Sequence, residues 1–142
     1  MGLEQLQPGL VYRDTLPITD ILTVPAMAPL YHSDVEMPPV FATAHMVGFI
    51  EWTCIAALRP YLLPLQRTVG ILVDIRHTAA TPIGMTVTAE VELIEIRDRQ
   101  LRFRVSCRDD IEEIGGGFHE RAVIDNDRFL NRVLNKGGSL TA

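Results

Sequence analysis

A curved antiparallel β-sheet wrapped around one long central helix, an α+β fold, is what this 142-residue sequence predicts. Three observations carry the prediction. A stretch near the middle, "MVGFIEWTCIAAL" (46–58), is apolar on almost every side at helical spacing. The segments that follow alternate apolar and polar residues with a period of two. Short turns join those segments, which makes neighbouring strands antiparallel.

The elements follow in chain order. A first strand is expected around Leu10–Ile18. From Leu22 to Pro39 the four prolines Pro25, Pro29, Pro38 and Pro39 predict an irregular, partly extended loop. A loop of that length inside a compact domain is commonly functional. The helix is predicted over Thr43–Arg59, with Thr43 as its N-cap and Pro60 discouraging continuation. Val47, Glu51, Cys54, Ile55 and Leu58 share one stripe of it; Phe49, Trp52 and Ala56 a second; Met46, Ile50, Thr53 and Ala57 a third. A helix apolar all round has to be enclosed on most sides.

The enclosing strands read clearly. Val69, Ile71, Val73, Ile75 and His77 alternate along one face, with Asp74 and Arg76 on the other. Met85, Val87, Ala89, Val91 and Leu93 form a second apolar row, and Leu101, Phe103, Val105 and Cys107 a third, with turns at Asp98–Arg99 and Asp109–Asp110. A last strand spans Ile114–Ile124, where Gly115-Gly116-Gly117 predicts a bulge or a close backbone approach. A short helix over Asp127–Asn135 and a frayed tail, "KGGSLTA", close the chain. One sheet cannot cover the helix completely, so a second copy is the expected cover and a homodimer the expected assembly.

Length and composition place the chain as one domain, residues 1–142, with 47% hydrophobic and 22% charged residues. No apolar run reaches the roughly 18 residues that span a bilayer, and the N-terminus lacks a signal-peptide layout, so neither a membrane nor export is expected and the default location is cytoplasmic. A net charge of −5 and a pI near 5.3 argue against a nucleic-acid partner. Cys54 and Cys107 both lie in apolar patterns and read as buried, reduced thiols; no residue spacing suggests a metal site.

Three side chains carry the candidate chemistry. Glu51 is the single charge of the central helix, and a carboxylate in such company either protonates or acquires a partner. His77 ends the apolar row that covers the helix, so it should point the same way, and each of the two groups could be the other's partner. Thr43, at the helix start, lies among unpaired amides suited to a carbonyl oxygen or oxyanion. It stands eight residues from Glu51, about 12 Å of helix rise, which leaves room for a small acyl group between the two side chains. Gly48 and Gly70 allow close approach of a chain or ligand. His32, His45 and His119 read as structural or exposed. An enzymatic reading requires that Glu51 and His77 face one sheltered cavity.

Three blocks then stand out together: "PPVFATAHMVGFIEWTC" (38–54), "RHTAATPIGMTVT" (76–88) and "EIGGGFHERAVI" (113–124). In this order they resemble the fluoroacetyl-CoA thioesterase group of hotdog-fold acyl-CoA thioesterases. The resemblance implies a dimeric hotdog fold and a catalytic set of threonine, helix glutamate and histidine, falling on Thr43 of "FAT", Glu51 of "IEW" and His77 of "HTAATP". It further implies that Gly70 contacts the acyl portion through its backbone and that Arg121 of "HERAVI" belongs to the substrate site. Members that select fluoroacetyl groups are similar in carrying aromatic residues in a lid just before "FAT". Val35 and Met37 occupy that stretch here as candidate substrate-binding residues, so the resemblance implies thioester hydrolysis and leaves the preferred acyl group, fluoroacetyl included, open.

The expected activity is therefore hydrolysis of a short-chain acyl-CoA thioester, with coenzyme A entering as part of the substrate and no separate cofactor. Arg67, Arg76, Arg104 and Arg121 are candidates for its phosphates. A hotdog enoyl-CoA hydratase and a non-catalytic acyl-CoA binding module are the alternatives. The 26 positions between Glu51 and His77 disfavour the hydratase, whose carboxylate and histidine normally lie close together on the helix and its adjoining loop. Pairing of dimers into a tetramer is left open.

Overall fold

The computed structural model describes residues 2–138, and of the expected frayed tail everything after Gly138 lies outside the described residues. Five strands form one antiparallel sheet in the order β1-β3-β4-β5-β2. They are β1 (Val11–Pro17), β2 (Gln66–His77), β3 (Thr86–Arg97), β4 (Gln100–Arg108) and β5 (Glu113–Asp125). The central helix α2 (Thr43–Leu58) lies against the sheet. Its face of Met46, Ile50, Cys54, Ala57 and Leu58 is buried together with Val87, Ala89, Val91 and Leu93 of β3 and Leu101, Phe103, Val105 and Cys107 of β4. Burial pushes both thiols, Cys54 and Cys107, up to about 12, so neither is a reactive thiolate.

Two sequence expectations change at the ends of this frame. The segment after β1 is not irregular throughout. It folds into a 3-10 turn at Asp20–Leu22, a helical turn α1 (Val24–Met27) and a further 3-10 turn at Ala28–Tyr31, before an extended run to α2. Pro25 and Pro29 sit in the first positions of these turns, where a missing N–H costs nothing and the fixed φ favours the helix. At the other end, α3 (Asn126–Gly138) runs past the expected stop at Asn135, through Lys136 and Gly137.

The row expected on β2 also changes. Gly70 pairs with Arg121 but Leu72 pairs with Glu120, so Ile71 is an extra, bulged residue. A bulge reverses the alternation beyond it. Gly70 therefore shares the helix-facing side with Val73, Ile75 and His77, whereas Val69, pairing with Ala122, faces the other way. His77 points inward as expected, and so does Gly70. The three glycines of β5 serve a close approach: a Cβ on Gly117 would lie 2.0 Å from the Asp74 carbonyl oxygen, and one on Gly115 would lie 2.2 Å from that of Arg76.

Beyond β2, the loop leading to β3 is tied down by Thr81, which is fully buried. Its hydroxyl donates to Asp109 Oδ2 at 2.9 Å, and Asp109 Oδ1 accepts the amides of Ile111 and Glu112. The Thr81 carbonyl accepts the Phe41 amide just ahead of α2, so this cluster helps to place the helix start. Burial alone would raise the Asp109 pKa, but these bonds to the ionised form together hold it below the usual carboxylate value. The depressed pKa means that the stabilisation is present above about pH 4 and is lost on acidification through the lower folded value. Asp109→Ala should cost about 1–3 kcal/mol of unfolding free energy at neutral pH, read from urea denaturation, with the difference shrinking at low pH.

Candidate active site

Two polar clusters lie on the helix side of the sheet. The first forms where β2 begins. Arg121 is almost completely buried, 3% exposed, and every contact it makes is directed. Its Nε donates to Thr68 Oγ1, its Nη2 to the Thr68 carbonyl, and its Nη1 to Glu51 Oε2, each at 2.9 Å. The same Nη1 lies 3.1 Å from Nε2 of His119, a fully buried ring whose Nδ1 is 2.7 Å from the Leu72 carbonyl. Glu51 reaches this group because Gly70 has no side chain: a Cβ there would lie 2.8 Å from Oε2. Among the described residues Oε1 of Glu51 accepts no hydrogen bond.

The helix carboxylate has thus acquired a partner, as burial physics demands, but the partner is Arg121 and not His77. Nor is it sealed within one chain. The Glu51 side chain is 38% exposed, because the sheet covers only the opposite side of α2, and Trp52 beside it is open to solvent.

The second cluster lies at the far end of β2. Thr43 is the first residue of α2, and Ala42 holds the cap position without a side-chain bond, so the expected threonine cap does not form. The hydroxyl is used elsewhere: Oγ1 lies 2.8 Å from Nδ1 of His77. The other ring nitrogen, Nε2, is buried and has no hydrogen-bond partner among the described residues. An orphaned buried nitrogen is costly, and a catalytic role is one of the reasons a protein keeps one. Burial lowers the His77 pKa, outweighing a hydrogen bond involving the Ala79 backbone, so the ring is neutral at pH 7. Thr43 and His77 line an open cavity of about 290 Å³, with Val24, Val40 and Phe41 among its walls. Val35 and Met37 are exposed and do not line it.

The expected Glu51–His77 pairing is therefore corrected within a single chain. Glu51 packs at Gly70, and His77 is seven positions further along the strand, roughly 20 Å at strand rise. The sequence did not single out Thr68, and His119, read there as structural or exposed, is buried and hydrogen-bonded. The signal was present: His119 and Arg121 are two apart in one strand, so both face the helix.

A curved five-stranded antiparallel sheet around one central helix is the hotdog architecture. The sequence profile for the fluoroacetyl-CoA-specific thioesterase (FlK) family matches residues 25–127. The chain belongs to that family. It is 48% identical over 101 residues to the fluoroacetyl-CoA thioesterase of Streptantibioticus cattleyicolor, an alignment covering 71% of this chain and 73% of the relative. The structure of the fluoroacetyl-CoA thioesterase FlK superimposes with a TM-score of 0.88 at 41% identity, covering 92% of this chain and 97% of FlK. A single-residue variant of FlK in complex with fluoroacetate and CoA gives a TM-score of 0.81 at 41% identity, over 87% and 99% of the two chains. A thioesterase-superfamily protein of Thermus thermophilus, only 21% identical, shares the fold with a TM-score of 0.82 over 97% and 99%.

Proposed function

We propose that this protein hydrolyses short acyl-CoA thioesters at sites built jointly by two copies of the chain, with Thr43, Glu51 and His77 as the reacting set. The observation that carries the reading is the Glu51 carboxylate, tied through one oxygen to a buried guanidinium and left free at the other. Arg121 orients Glu51, and Oε1 supplies a lone pair to the thioester carbon or to the water that attacks it. When Nδ1–H of His77 donates to Thr43 Oγ1, the hydroxyl proton is free to hold the carbonyl oxygen as it becomes an oxyanion. His77 Nε2, bare in the neutral ring, takes a proton released by the attacking water and passes it to the departing thiolate, while the water's oxygen and other proton leave with the product acid. No cofactor beyond the substrate's own coenzyme A is required.

The second copy follows from β2. It is an edge strand of 12 residues with Ile71, Leu72 and Val73 exposed, and a long apolar edge invites pairing. Two-fold antiparallel pairing about its middle sets the Glu51–Arg121 end of one protomer against the Thr43–His77 end of the other. It also brings cover to the open side of α2. The acyl group then lies between Glu51 and the partner's Thr43, not between two side chains of one helix. Arg67 and Arg76 remain candidates for the CoA phosphates. Arg104 pairs with Glu92, and Arg121 is committed to Glu51.

The test is a thiol-release assay over acetyl-, fluoroacetyl-, propionyl-, branched and aromatic acyl-CoAs, with sedimentation equilibrium to read the mass against the 15.9 kDa chain. Release from the short esters by a species of twice that mass is expected. Binding without release supports the binding module, and loss of enoyl absorbance from crotonyl-CoA without thiol release supports the hydratase.

Two further outcomes are expected. Gly70→Ala should displace the Glu51 carboxylate from Arg121 and lower kcat by about ten- to a hundredfold, since ångström-scale misplacement of a reacting group has effects of that order. The rate should also hold through neutral pH and fall on acidification below 6.5. His77 must be neutral to take a proton, and burial sets its folded pKa under that value. A pH–rate profile checks this sign.

A further inference from the structure

We infer that His119 is a positioning residue of the catalytic carboxylate: a neutral imidazole, locked in one tautomer, that aims Arg121 at Glu51. The inference rests on the proposed role of Glu51. Arg121 Nη1 is a donor only, so at 3.1 Å the facing His119 Nε2 must accept and carries no proton. The proton of the neutral ring is then on Nδ1, where the Leu72 carbonyl accepts it at 2.7 Å. That carbonyl directly follows the bulged Ile71, so the irregularity of β2 and the histidine tautomer belong to one arrangement. Of the two Nη1 protons of Arg121, one goes to His119 and the other to Glu51 Oε2. His119 thereby fixes the rotation of the guanidinium and selects which carboxylate oxygen is engaged, leaving Oε1 for chemistry.

Protonation would undo the device. The ring would then present Nε2–H to the Nη1–H of Arg121, with Glu51 Oε2 standing 4.0 Å from that nitrogen. The charged groups acting on the ring are Glu51 on α2 and Arg121 and Glu120 on β5, and the neutral Cys54 thiol of α2 lies near the same Glu51 and Arg121. β2 presents the Leu72 carbonyl, and β4 the apolar Phe103 opposite. Burial is the largest influence and favours the neutral ring; the nearby Arg121 acts in the same direction.

Two variants and one spectrum test this. His119→Leu removes both hydrogen bonds and strands an Arg121 donor; kcat for thiol release should fall about ten- to a hundredfold while KM changes little. His119→Gln retains an oxygen acceptor for Arg121 and should keep kcat within about threefold of wild type. On the acid side, the glutamine variant should show one protonation step fewer than wild type. Nitrogen-15 spectra of the intact protein, with His119 assigned by its absence from the glutamine variant, should show Nδ1 protonated and Nε2 bare at pH 7. An Nε2–H tautomer or an imidazolium at pH 7 overturns the inference, whether or not the protein releases thiol. So does a folded leucine variant with wild-type kcat and pH profile. Absence of thiol release from wild type counts against the proposed function alone, because the spectrum still reads the tautomer.

Discussion

Glu51→Gln should reduce thiol release by 10²–10⁴-fold, the range typical of a positioned acid–base group, while the protein stays folded and keeps its oligomeric state. Glutamine has nearly the same shape, and its carbonyl oxygen still accepts from Arg121 Nη1, so the geometry at the site survives. What disappears is the negative charge. The acyl carbon then meets a poor nucleophile, and a water beside it meets a poor base. Arg121 is left a buried guanidinium without a counter-ion, which should cost about 1–3 kcal/mol of stability, moderated because the pair is partly open to solvent. The measurements are kcat by thiol release and melting by circular dichroism. Turnover within a few-fold of wild type would remove Glu51 from the chemistry. In wild type, a single turnover in ¹⁸O-water tests for the nucleophilic role: label in the Glu51 carboxylate requires an anhydride opened at the Glu51 carbonyl, which a general base never forms.

The second large effect is recovery of activity on mixing two inactive proteins. Glu51→Gln and His77→Asn should each be nearly inactive alone, the asparagine keeping a donor for Thr43 but losing Nε2. After subunit exchange in a 1:1 mixture, half of the dimers are mixed. Each mixed dimer holds one site with an intact Glu51 from one protomer and an intact His77 from the other. About a quarter of all sites are then wild type, so about a quarter of wild-type activity should return. If Glu51 and His77 instead acted within one chain, every site would carry a defect and mixing would restore nothing. The roughly 20 Å of strand between Gly70 and His77 makes the first outcome the expected one.

Much of the frame was legible from local patterns. Period-two alternation identified β3 and β4 because each buries one face against α2 and leaves the other wet. The all-apolar helix announced that something must enclose it, and within one chain Trp52 and the apolar β2 edge stay exposed. The lone charge of that helix signalled a partner. Its choice of Arg121, 70 positions away, was not legible, since the pairing depends on which residue of β5 lies opposite Gly70. Thr43 shows the reverse case: as a residue type it suggested a cap, but tertiary packing gave its hydroxyl to His77.

By itself, then, the order of residues determined the sheet, the central helix and the residues with chemistry to offer, because hydrophobic periodicity and the cost of an unpaired charge act locally along the chain. Only the tertiary structure decided who pairs with whom. One bulged residue at Ile71 reverses the facing of Val69 relative to His77, puts Gly70 beneath Glu51 and sets the Leu72 carbonyl against His119. A one-residue change in strand register alters every later side chain's direction while leaving composition and spacing untouched.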